Sequence, residues 1–256
     1  MKKIVTKLFR MEKIISRIKF RVIAAEKVYG IGSSATLMIF LSPFFIVFFI
    51  CVFFQLSSTR PVVVSIIVEN QLVMGLLTYV FLIAGGFLGL RLVLQIKKHK
   101  KGLLMFWFYL AFSIGLLFIG MEKVRWGQLF FISKVPSGLS NINQQAETVV
   151  HSFQFWQDHL EIFPLTFGLA GLLGIWTSNI RHFGKINSPY VLLSWFALIA
   201  FISAIDLFHD FYKPIPGFDD FVDNLEEVIE LMVGISAFLF IWLNTRRLRF
   251  GEREIV

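Results

Sequence analysis

Six runs of this chain carry no Asp, Glu, Lys or Arg: 28–59, 70–90, 102–121, 162–180, 186–205 and 231–245. A bilayer core about 30 Å thick is crossed by about 20 apolar residues in a helix. Five of the runs meet that length directly, and Val228 and Ile229 extend the sixth, leaving Glu230 within its first turn. A soluble fold of 256 residues has nowhere to put so many wholly apolar helices. The fold class expected is therefore all-α and polytopic. Its six transmembrane helices fall at about 34–56, 71–93, 103–121, 162–180, 189–208 and 228–245.

The charges between the runs fix an orientation. With the N-terminus in the cytoplasm, 20 of the 25 Lys and Arg residues lie inside and 13 of the 17 Asp and Glu residues lie outside. Lys and Arg in short loops set orientation, whereas acids contribute little. The acid bias therefore calls for another cause, and a site is one. The expectation is a protein of the cell membrane, with both termini cytoplasmic. A net charge of +8 would point to nucleic acid in a soluble protein. Here it is read as positive-inside bias plus attraction to anionic lipid, with no nucleic-acid partner.

Residues 1–27 read as a separate cytoplasmic segment, and 28–256 as a single transmembrane domain. Ile4, Leu8, Met11, Ile15, Ile18 and Val22 share one helical face, with Lys3, Lys7, Arg10, Arg17 and Arg21 over much of the rest. Such a helix lies on the membrane surface among anionic headgroups. No cleavable leader is evident, so the first helix is expected to stay as an anchor. Pro43 should kink it. Gly85, Gly86 and Gly89 in the second helix, and Gly168, Gly171 and Gly174 in the fourth, make smooth faces for packing within the chain or against a second subunit. Pro164 belongs in the first turn of the fourth helix, where its missing N–H costs little. Cys51 is the single cysteine, which excludes an internal disulfide and a Cys-based metal cage.

The chemistry-bearing residues collect on the acidic side. Segment 122–161 is the one long loop, opening on Glu122, Arg125, Trp126 and Gln128. From about Ser140 the pattern is helical, with Asn143, Glu147 and His151 at spacings of four along one stripe. Phe153, Phe155 and Trp156 are interfacial aromatics, so the loop is expected to lie on or in the outer membrane surface. Asp206 and His209 share a face at the end of the fifth helix. Glu226, Glu227 and Glu230 open the sixth. Helix capping accounts for Glu226 and Glu227. Glu230 lies one turn into apolar sequence and needs a partner. Glu147, His151, Asp206 and His209 offer carboxylate and imidazole ligands suited to Zn, Mn or Fe. Glu122, Glu147 and His151 also offer general acid and base groups. Acid–His spacings of this kind occur in many helices, and no HExxH motif is present.

Glu122-x-x-x-Trp126-Gly127-Gln128, followed by Asn143-x-Gln145-x-Glu147-x-x-x-His151, resembles the signature of a family of multi-pass bacterial membrane proteins of unassigned activity. The resemblance spans about 30 residues and implies a shared outer-face motif. Where that family carries a second acid after Glu122, this chain has Lys123.

Three functions compete. The first is a binder or enzyme whose Glu/His site at the outer-leaflet interface takes a lipid or lipid-linked substrate, with a divalent metal as its cofactor if there is one. In it Glu122, Glu147 and His151 are the core, and Arg125, Trp126, Gln128, Asn143, Gln145 and Glu230 bind or support. The second is a non-catalytic assembly subunit, partnered by lipid or by another protein, whose outer loop is held by a polar network. A transporter, the third, is disfavoured because the helix middles are nearly all apolar and no repeat is evident.

Overall fold

The computed structural model describes residues 26–55, 71–99, 102–123, 162–177, 188–207 and 218–253. Every regular element among them is helical. In chain order these are α1 (Ser33–Gln55), α2 (Gln71–Lys98), α3 (Leu103–Lys123), α4 (Ile162–Trp176), α5 (Leu193–Leu207) and α6 (Phe218–Arg253). A 3-10 turn over Tyr190–Leu192 leads into α5. Each helix grows from one uncharged run, because a chain in hydrocarbon has to satisfy its backbone N–H and C=O groups internally.

Among the described residues, five helical stretches are long and apolar enough to cross a membrane: Ser33–Ile50, Val73–Lys98, Leu103–Lys123, Tyr190–Leu207 and Leu225–Arg249. The architecture is that of a helical, multi-pass membrane protein. α4 is equally apolar but has 15 residues, about 22 Å at 1.5 Å per residue. Pro164 falls in its first turn, as expected.

The last helix differs from the sequence expectation. It begins at Phe218 and runs to Arg253, well beyond 228–245 at both ends. Glu226 and Glu227 are therefore not in its first turn, and capping does not explain them. The basic segment 1–25 and residues 124–161, which hold most of the long loop, lie outside the described residues.

Small residues set how closely the helices approach. A Cβ at Gly86 would lie 2.6 Å from Leu117 on α3, and one at Gly120 would lie 3.0 Å from Ile83 on α2. Gly89 faces Ser113 across the same seam. The pairs run in opposite order, so α2 and α3 are antiparallel. They are joined through Gly102, whose φ of 123° few L side chains adopt. The other glycine face, on α4, lies against α5: a Cβ at Gly168 would sit 2.7 Å from the Ala200 backbone nitrogen, and Gly171 faces Phe196. Both glycine faces are thus filled from within the chain.

α6 packs on α2 and on α5, and so joins the two hairpins. Its span is 67% buried, against 11% for that of α1. α6 is the centre of the bundle, and α1 is its periphery. Phe240 carries the α3 contact, stacking on Tyr109 at 6.0 Å and meeting Phe112 edge-on at 5.3 Å. Most buried hydroxyls and amides bond back to their own helix: Ser113 to Tyr109 O, Ser236 to Val233 O, Asn244 to Phe240 O and Thr245 to Ile241 O.

Cross-links between helices define two ends of the bundle. At one, Arg246 Nη1 donates to Gly30 O at 2.9 Å, which puts the start of α1 beside the end of α6. Nearby, Ser194 Oγ and Trp195 Nε1 at the start of α5 donate to Phe40 O (2.5 Å) and Ile39 O (2.8 Å) on α1. At the other, Lys123 at the end of α3 pairs with Glu230 near the start of the α6 span. With the antiparallel hairpins, these links make the six helices alternate in direction.

Candidate functional site

The site is built where α3 stops and the α6 span begins. Glu230 lies within an apolar stretch of α6, where a lone carboxylate would lose its hydration without recompense. The partner is Lys123, the last residue of α3, whose ammonium forms an ion pair and hydrogen bond with the Glu230 carboxylate. The lysine stem covers apolar surface while its head reaches the helix end. The two side chains are 26% and 23% exposed, so water screens the pair only in part.

Further acids surround this pair. Glu226 is one turn before Glu230 on the same face, and Glu227 is three residues before it. Glu226 lies within electrostatic reach of Glu230, Asp206, Glu227 and Lys123. Glu227 feels Glu230 and Lys123. Asp206 comes from the end of α5, so the cluster spans the junction of the two hairpins on α6. Among the described residues, three further carboxylates from α5 and α6 stand within electrostatic reach of one another around the pair that Glu230 forms with the α3 ammonium. Such a set can hold a cationic or hydrogen-bond-donating group and can exchange protons at the membrane surface.

Of the residues singled out in the sequence, the structure brings Asp206 and Glu230 to this end. Glu122 precedes Lys123 in the last turn of α3 and is half-buried and engaged. Arg125, Trp126, Gln128, Asn143, Gln145, Glu147, His151 and His209 lie outside the described residues. Among the described residues, no three His, Cys, Asp or Glu side chains are grouped to hold a metal ion. Sequence reasoning missed Lys123 as the partner of Glu230. Its signal was available: Lys123 is one of only five cations on the acid-rich side of the threading, and it closes an uncharged run. Distance along the chain hid the pairing, since 107 residues separate the two.

No protein-family model, curated protein or solved structure matches this chain.

Proposed function

We propose that this protein is a bacterial cell-membrane protein whose outer-leaflet site binds or processes a lipid or lipid-linked substrate. The observation that carries the reading is the half-buried Lys123–Glu230 ion pair ringed by Asp206, Glu226 and Glu227 at one end of an otherwise apolar bundle. A polar cluster at that depth meets headgroups, while the seams between helices meet acyl or isoprenoid chains. In this reading Glu122, on the last turn of α3, acts together with Glu147 and His151 of the long loop, and Arg125, Trp126, Gln128, Asn143 and Gln145 support them. A divalent metal would be held by Glu147, His151, Asp206 and His209.

The same reading includes six crossings, with both termini cytoplasmic. α4 is the short sixth, and its contacts with α5 at Gly168 and Gly171 favour a place at the same depth. The resemblance of 122–151 to a bacterial multi-pass family belongs with this proposal.

The experiment is compositional. The purified protein is assayed for retained lipid by mass spectrometry and for metal by elemental analysis. The assays are repeated on Lys123→Ala and on the Glu147→Ala/His151→Ala double variant. Selective loss of one lipid class or of metal is expected. Unchanged contents in variants that remain folded would reject the site and leave a non-catalytic assembly subunit.

A further inference from the structure

The end of the bundle opposite the Lys123–Glu230 pair has a different chemistry. Lys27, Arg91, Lys97, Lys98, Arg246, Arg247 and Arg249 stand there, and Glu26 is the one described acid whose side chain is placed among them. Orientation alone requires basic residues at such an end, but it does not require them to be held in place. Two are. Arg246 donates to Gly30 O, and its guanidinium lies 4.8 Å from the centroid of the Trp242 ring. Gly30 can present that carbonyl because it holds φ at 60°. Arg247 lies within electrostatic reach of two buried phenols, Tyr29 on the segment before α1 and Tyr109 on α3. Burial holds the Tyr29 hydroxyl above its usual range, and Arg247 acts in the opposite sense.

The second observation is the Tyr109 hydroxyl. Tyr109 is fully buried, and among the described residues its hydroxyl has no hydrogen-bond partner. A buried hydroxyl without a partner costs about 1–3 kcal/mol, and one in a native protein calls for an explanation. Most other buried hydroxyls in this bundle solve the problem by bonding to their own helix backbone, which a tyrosine's reach does not permit. Among the described residues nothing supplies the acceptor it lacks, and the Arg247 charge within electrostatic reach of it favours an anion.

We propose that Arg246 and Arg247, with Tyr29 and Tyr109 beside them, form a binding site for the phosphate headgroup of an anionic phospholipid. Guanidinium groups match phosphate oxygens through paired N–H donors, and basic pockets at the ends of membrane helices take such headgroups. The lipid, not a free anion, is the occupant because the site opens where apolar helix surface begins: exposed Leu94 on α2, and Leu103 and Leu104 on α3, lie at this end. They are placed to contact the acyl chains of a lipid whose phosphate reaches the arginines.

The test uses the full chain purified in neutral detergent. Phosphatidylglycerol, phosphatidylcholine or inorganic phosphate is added, and thermal unfolding and retained lipid by native mass spectrometry are read. Phosphatidylglycerol should raise the unfolding midpoint and remain bound; the other two should not. Arg247→Gln should retain about tenfold less phosphatidylglycerol, the loss of roughly one charge-assisted paired contact. Arg247→Lys keeps the charge and the fold but not the paired donors, and should show an intermediate loss. Lys98→Gln, exposed at the same end, should retain phosphatidylglycerol as the parent does. Tyr109→Phe should be as stable as the parent or more so in phosphatidylcholine, and should gain less from phosphatidylglycerol. Equal losses in Lys98→Gln and Arg247→Gln would overturn the site in favour of diffuse surface charge. A parent-like response in Tyr109→Phe would remove the hydroxyl from it, and a full response to inorganic phosphate would overturn the lipid.

Discussion

Pro43 has no N–H to give to Ile39 O, the carbonyl one turn before it on α1. In hydrocarbon that carbonyl cannot turn to water, so the bundle supplies donors: Trp195 Nε1 at 2.8 Å and Ser42 Oγ at 2.9 Å. The proline is therefore the reason that α1, the least buried helix, is held to α5 at a defined height. Replacing Trp195 with Phe keeps the ring and removes the donor, and should cost about 1–2 kcal/mol in thermal or denaturant unfolding. In a Pro43→Ala background the Ile39 carbonyl regains the N–H of position 43 as a donor, and the same change should cost about half as much; additive effects would refute the assignment. Lys123 and Glu230 invite a parallel test. Lys123→Ala should cost about 1–3 kcal/mol by leaving Glu230 unpaired, and the exchange Lys123→Glu/Glu230→Lys should recover most of it. The proline and the stranded glutamate were legible in the sequence as problems. Their solutions were not, because Trp195 is 156 residues from Ile39 and Lys123 is 107 from Glu230, and nothing in local pattern links them.

At the scale of the helix, apolar runs located every element but misjudged where some of them end. A hydropathy run stops where hydrocarbon stops, whereas backbone hydrogen bonding continues into the interface. α6 thus starts at Phe218, through Asp219, Asp220 and Asp223, and α2 continues to Lys98. The acids that looked like caps on a short helix are side chains well inside a long one. Glycines behaved as their spacing implied, and their partners sort them. A methyl at Gly168 would meet the Ala200 backbone at 2.7 Å, whereas one at Gly115 would meet nothing within 4 Å. Gly168→Ala should therefore force α4 from α5 and cost about 1–3 kcal/mol. Gly115→Ala should be neutral or stabilising by up to about 1 kcal/mol. Unfolding midpoints of the two variants, measured in one detergent, check this directly. Equal midpoints would mean that α4 is not seated as described.

The whole molecule joins two chemistries through one central helix. α6 carries Glu226, Glu227 and Glu230 at one end and Arg246, Arg247 and Arg249 at the other, with an apolar, buried stretch between them. Its two ends cannot exchange places in the membrane without putting that whole basic end across it, which the positive-inside rule opposes. Because Gly30 just before α1 is tied to Arg246, the start of α1 and the end of α6 lie on the same side, whichever side that is. On the orientation proposed above, the basic residues put that side in the cytoplasm. In a Cys51→Ser background, Ser137→Cys in the long loop should react with a membrane-impermeant maleimide in intact cells. Lys98→Cys and Arg249→Cys should react only after permeabilisation. Labelling of Lys98→Cys in intact cells, with Ser137→Cys protected, would invert the molecule and place the Lys123–Glu230 cluster against the cytoplasmic leaflet. Labelling of both from one side would break the alternation of the helices, and with it the case for α4 as a crossing.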